Sequence, residues 1–130
     1  MARLVKKQKT LQVEEDSFLP NTRKIAELAA EKKARDIKAF DVRELTLVAD
    51  SFIYCTATSE PQLKAIYNSV LDGMKKIGVR PLRSEGGFGD GWVLMDYGTV
   101  IFHIFREKAR EFYDLDGLWG DAPEIALDLE

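Results

Sequence analysis

The succession of helical and strand-like periods predicts an α/β fold: a single-domain mixed β-sheet packed with helices, an α-β sandwich. Three observations predict it. A helical pattern over residues 59–76 opens on a capping serine, and an apolar run, Ser51–Ala57, precedes it directly. Farther on, two alternating segments, Trp92–Asp96 and residues 99–105, meet at Tyr97-Gly98 as a hairpin does. With 130 residues, 45% of them hydrophobic, the chain is long and apolar enough to close one core.

Taken in order, residues 1–19 carry a basic cluster and then Glu14-Glu15-Asp16 without periodicity, which predicts a flexible arm. Pro20-Asn21-Thr22 then opens a helix whose apolar face carries Ile25, Leu28 and Ala29, with Lys32-Lys33 complementing the dipole at its end. Residues 37–43 alternate weakly, and Ser51–Ala57 reads as a central strand. In the next helix Ser59 caps, Gln62 sits three residues on, and Leu63, Ile66, Tyr67, Val70, Leu71 and Met74 recur at helical spacing until Gly78. A Ser/Thr-rich turn at a helix N-terminus can also hold phosphate. Residues 56–59 lack glycine, however, and Glu60 opposes an anion there, which favours ordinary capping.

Residues 79–85 predict a short strand and residues 86–91 a glycine-rich mobile loop. The glycines match no nucleotide fingerprint, because another strand follows rather than a helix. The hairpin comes next, then a helix at 106–113 and an irregular, aromatic-anchored segment at 114–123. The expected organisation is an arm at 1–19, one domain at 20–123 and an acidic tail at 124–130.

Composition excludes several classes. No stretch approaches the roughly 20 apolar residues of a membrane span. The basic first residues lead into no apolar run of the kind a signal peptide needs. One cysteine and one histidine make a poor metal inventory and allow no internal disulfide. These features predict a cytoplasmic protein without a cofactor. Residues 1–38 carry a net charge of +4 and residues 39–130 a net of -7, with eight acids against two bases in 107–130. Such a body repels phosphate backbones and attracts a basic protein surface, although an acidic end also serves solubility alone.

A two-residue hairpin turn places Trp92, Leu94, Asp96, Thr99, Ile101 and His103 on one face and Val93, Met95, Val100, Phe102 and Ile104 on the other. The second set is wholly apolar and reads as core. The first combines an apolar stripe of Trp92, Leu94 and Ile101 with polar Asp96, Thr99 and His103. It is either a partner-binding surface with tryptophan as its hot spot or a face covered by a further helix. Catalytic chemistry finds little support: Cys55 sits inside an apolar strand, and Asp114 and Asp116 lack a neighbouring phosphate loop.

Gly91 to Gly98, Val100 to Phe105, Arg110 to Leu115 and Leu118 to Ala122, with Asp50-Ser51-Phe52 and Ser84-Glu85-Gly86, together resemble the ribosomal silencing factor (RsfS, Iojap-like) family over about residues 22–123. Thr99 and Asp116-Gly117 depart from its usual pattern. The resemblance implies a nucleotidyltransferase-like fold without catalytic residues. It also implies a translational repressor that binds the large ribosomal subunit at ribosomal protein number fourteen and sterically blocks the small subunit; organelle relatives act in large-subunit assembly. Combined with the stripe, it makes Trp92 and Leu94 the expected anchors, beside Ile101, with Asp96, His103 and Asp114 as polar contacts. Tyr113, Leu115 and Trp119 serve either as core pins or as contacts. Rival readings are a metal-dependent nucleotidyltransferase using Asp114 and Asp116, an RNA binder using residues 1–9, and a homodimer that buries the stripe.

Overall fold

A computed structural model of the chain describes residues 18–113 and 121–129. Helix α1 is described over residues 18–31, followed by β1 (Arg35–Asp41), β2 (Ser51–Ala57), α2 (Glu60–Lys76) and β3 (Arg83–Gly87). A single 3-10 turn, Phe88–Asp90, leads to β4 (Trp92–Asp96), β5 (Val100–Arg106) and α3 (Glu107–Tyr113). The five strands form one mixed sheet in the order β1-β2-β5-β4-β3, in which β2 and β5 run parallel and the remaining neighbours antiparallel. The α/β class and the element order are therefore as expected.

The inner face of the sheet is the core. Ile53 and Cys55 of β2, Phe102 and Ile104 of β5 and Val93 and Met95 of β4 pack against Ile25, Leu28 and Ala29 of α1 and Leu63, Ile66, Val70 and Met74 of α2. Helix α2 forms where its cap predicts: the Ser59 hydroxyl accepts the Gln62 amide at 3.2 Å. The Gln62 side chain reaches back to the Thr58 amide at 2.6 Å and also donates to the carbonyls of Lys32 and Lys33, closing the end of α1. Capping uses the groups that a phosphate would need. Lys33 adopts the left-handed conformation (φ 62°) that ends a helix.

Several boundaries differ from expectation: β1 runs over Arg35–Asp41 where the sequence suggests 37–43, and four others differ for a physical reason. Helix α1 is already helical at Phe18 and Leu19, inside the segment that the sequence predicts as an arm; Pro20 fits a first turn, and Phe18 is 1% exposed beneath the Arg43 guanidinium. Strand β3 begins at Arg83 rather than at 79 and takes in Gly86 and Gly87, which the sequence suggests are loop. A Cβ on Gly86 (φ +86°) would collide with the Trp92 carbonyl, so the glycine there permits strand pairing.

The hairpin turns one residue later than expected, at Gly98-Thr99 instead of Tyr97-Gly98. Tyr97 donates to the Val100 carbonyl at 2.9 Å, Asp96 Oδ1 accepts the Gly98 amide at 2.8 Å, and Asp96 pairs with Ile101 rather than Thr99. Finally, the expected acidic tail is docked where it is described. The Asp41 amide donates to the Pro123 carbonyl and the Ile125 amide to the Ala39 carbonyl, so residues 123–125 cover the outer edge of β1, and Ile125 is 9% exposed.

Candidate docking surface

The hairpin register is displaced by two residues from the simplest pairing. Because side chains alternate with period two, an even displacement keeps every residue on its face. The outer face therefore carries Trp92, Leu94 and Asp96 from β4, beside Ile101, His103 and Phe105 from β5. Phe52, Tyr54 and Thr56 of β2 continue it, paired with Ile101, His103 and Phe105 respectively. Thr99 lies in the turn, outside the ladder.

Burial divides this face. Tyr54, Ile101 and Phe105 are packed, Ile101 retaining only 4% exposure, so its expected place in an outward stripe is corrected to a supporting one. Phe40, Val42, Tyr54, Phe105 and Ala122 form a second, smaller apolar cluster that Phe52, Trp92 and Ala109 join. Trp92, Leu94, Asp96, Phe52 and His103 remain half-buried. Arg110 of α3 donates to the Thr56 hydroxyl and to the Asp36 carbonyl, each at 2.8 Å, which ties that helix across the ends of β1 and β2.

The half-buried residues hold one another in place. The Trp92 indole N–H donates to His103 Nδ1 at 3.2 Å, and Trp92, His103 and Phe105 stack with ring centroids 5.7 to 6.4 Å apart. Burial among these rings pushes the His103 pKa down to about 4, so the imidazole is neutral at physiological pH. Asp96 is engaged by Arg83, whose Nε lies 3.1 Å from Oδ2 while its Nη1 holds Glu85 at 2.7 Å. Arg83 is an unforeseen member of the surface, since only the β3–β4 register brings it to Asp96.

Asp114, Asp116, Leu115 and Trp119 lie outside the described residues. Cys55 is fully buried, and desolvation raises its pKa, which makes it packing rather than a nucleophile. Among the described residues no helix is long and apolar enough to cross a membrane. What the surface presents is a partly open indole and leucine, a neutral imidazole and a carboxylate at the margin.

Comparisons with known proteins bear on the family and the fold. The family model described as ribosomal silencing factor during starvation matches residues 15–130. The chain is 38% identical over 112 residues to the ribosomal silencing factor RsfS of Bacillus subtilis, covering 83% of this chain and 95% of that protein. It is 34% identical over 132 residues to the chloroplastic protein Iojap of Arabidopsis thaliana, covering 95% of this chain and 52% of that protein. A crystal structure of a Chromobacterium violaceum protein superposes with a TM-score of 0.75 at 32% identity, covering 85% of this chain and 92% of the other. A Bacillus halodurans crystal structure does so at 0.71 and 29%, covering 86% and 99%. With the family model spanning the whole described domain and relatives above 30% identity along most of their length, the chain belongs to the ribosomal silencing factor family.

Proposed function

We propose that this chain represses translation by docking on the large ribosomal subunit through ribosomal protein number fourteen, where its bulk prevents the small subunit from joining. The observation that carries this reading is the outer face of the sheet. Trp92 and Leu94 are only half covered there, and the carboxylates of Asp96 and Glu85 stand beside them in a domain whose residues 39–130 carry a net charge of -7. An apolar centre with acids at its margin complements a basic protein surface, and the charge speeds encounter with it. The names of the bacterial relatives support the silencing role.

No bond need be made or broken. Occupancy alone decides the outcome, and an interface of about 800 Å² per partner is enough for a stable complex. We place this action in the cytoplasm, with the ribosomes. The arrangement between Arg83 and Asp96 suits such docking, because an exposed ion pair contributes little and a cation from the partner can replace one side of it. Sedimentation with separated subunits tests the function. The chain is expected to travel with large subunits and to reduce the joined species when small subunits are added. Binding without any effect on joining would remove the silencing mechanism, and failure to bind large subunits would remove the partner.

A further inference from the structure

The Trp92–His103 contact determines more than stacking. An indole nitrogen is a donor only, so the His103 Nδ1 that receives it at 3.2 Å must be an unprotonated acceptor. A neutral imidazole carries one proton, which then resides on Nε2. The ring itself is clamped: Trp92 and Phe105 lie nearly parallel to it, at interplanar angles of 22° and 9°, while Phe52 and Tyr54 are each tilted against it at 59°.

Two consequences follow for whatever lands here. The indole N–H is already engaged, so a partner meets Trp92 through apolar contact. The Nε2–H, by contrast, has no hydrogen-bond partner among the described residues and belongs to a half-buried side chain. A donor left to solvent in the free protein and covered on docking selects for an acceptor opposite it, because covering it without one leaves it unsatisfied.

We propose that His103 is a positioning residue of the docking surface: its Nδ1 holds the Trp92 indole in one orientation, and its Nε2–H is the donor that recognises a neutral oxygen of the docked protein, a main-chain carbonyl or a side-chain carboxamide. This deepens the reading above and rests on the docking face lying at Trp92 and Leu94. The acids beside the face, Asp96 and Glu85, disfavour a carboxylate or phosphate as the acceptor. Burial among the rings disfavours an ionic alternative, since it favours the uncharged imidazole.

The test has two arms. In the first, nitrogen NMR of the free protein reads the tautomer. The proton is expected on Nε2 at neutral pH, and Trp92→Phe, which keeps an aromatic ring but donates nothing, is expected to lose the single-tautomer signature. A proton on Nδ1 in the unaltered protein overturns the proposal, whatever any partner does.

The second arm measures affinity for purified large subunits. His103→Phe preserves the stack but has neither acceptor nor donor, and is expected to weaken binding at least about tenfold. His103→Asn places an acceptor near the Nδ1 position without restoring the Nε2 donor, so it should return the indole N–H resonance toward its original position and recover only part of the affinity. Unchanged affinity in both variants overturns the proposal. If Trp92→Ala still loses binding in that case, the docking face stands and only the role of His103 falls; if Trp92→Ala also binds normally, the face itself is misplaced. Naked ribosomal RNA bound with the same dependence on His103 would overturn the assignment to a protein oxygen.

Discussion

The two faces of one sheet contrast sharply. The inner face, with Ile53, Cys55, Phe102, Ile104 and Met95, is sealed by α1 and α2 to zero exposure. On the outer face the buried residues Tyr54, Ile101 and Phe105 lie beside half-open Trp92, Leu94 and His103. The same five strands thus supply both a core that defines the fold and a surface that still has apolar area to cover. The lesson is that a strand's alternation separates core from partly open surface residue by residue. Neighbours such as Val93 and Trp92 answer to different constraints.

Substitutions on either side of β4 and β5 give the largest test of this division. Phe102→Ala is expected to destabilise the fold by about 3–5 kcal/mol in urea unfolding. Trp92→Ala is expected to weaken large-subunit binding by about 2 kcal/mol or more while the domain stays folded. Equal loss of stability in both variants would erase the contrast.

A pH dependence sharpens it. The His103 pKa lies at about 4 in the folded chain against 6.5 when free, so the unfolded chain takes up this proton first as pH falls. Stability from this group is therefore complete above pH 6.5, is lost between 6.5 and about 4, and changes no further below. The full shift corresponds to about 3 kcal/mol. Unfolding titrations of the unaltered protein and His103→Phe across this window isolate it, and parallel curves would contradict the burial of the ring.

Smaller effects belong to the helix side and the margin. Ser59→Ala should cost about 1 kcal/mol by removing the cap of α2, measured as a lower thermal midpoint with unchanged subunit binding. Asp96→Asn should cost about 0.2–1 kcal/mol of binding and flatten its salt dependence, with the fold unaltered. A salt dependence left intact would place the carboxylate outside the interface.

The inner face was legible in the sequence because alternation marks it directly: Val93, Met95, Val100, Phe102 and Ile104 are all buried, and β2 has its expected bounds. The outer face was legible in membership but not in pairing. The Asp96 side chain accepts the Gly98 amide in a turn displaced by one residue, and only parity preserved the assignment. Gly86 and Gly87 look like loop, since no local pattern reveals that the Trp92 carbonyl approaches Gly86 or that the Asp90 carboxylate approaches Gly87. The docking of residues 123–125 on β1 was hidden for a similar reason, as main-chain hydrogen bonds leave no trace in side-chain character. The Trp92–His103 and Arg83–Asp96 contacts required the register and could not precede it.

The parallel pairing of β2 with β5 has a consequence for how the chain comes into being. Ser51 faces Val100 and Ala57 faces Arg106, so the middle of the sheet is built from segments about fifty residues apart. A nascent chain emerging from a ribosome has two incomplete half-sheets, β1-β2 and β3-β4, until β5 slides between them. The final edge closes only when residues 123–125 arrive. The centre of the sheet is therefore complete only once β5 has emerged, and so is the outer face shared by β2, β4 and β5.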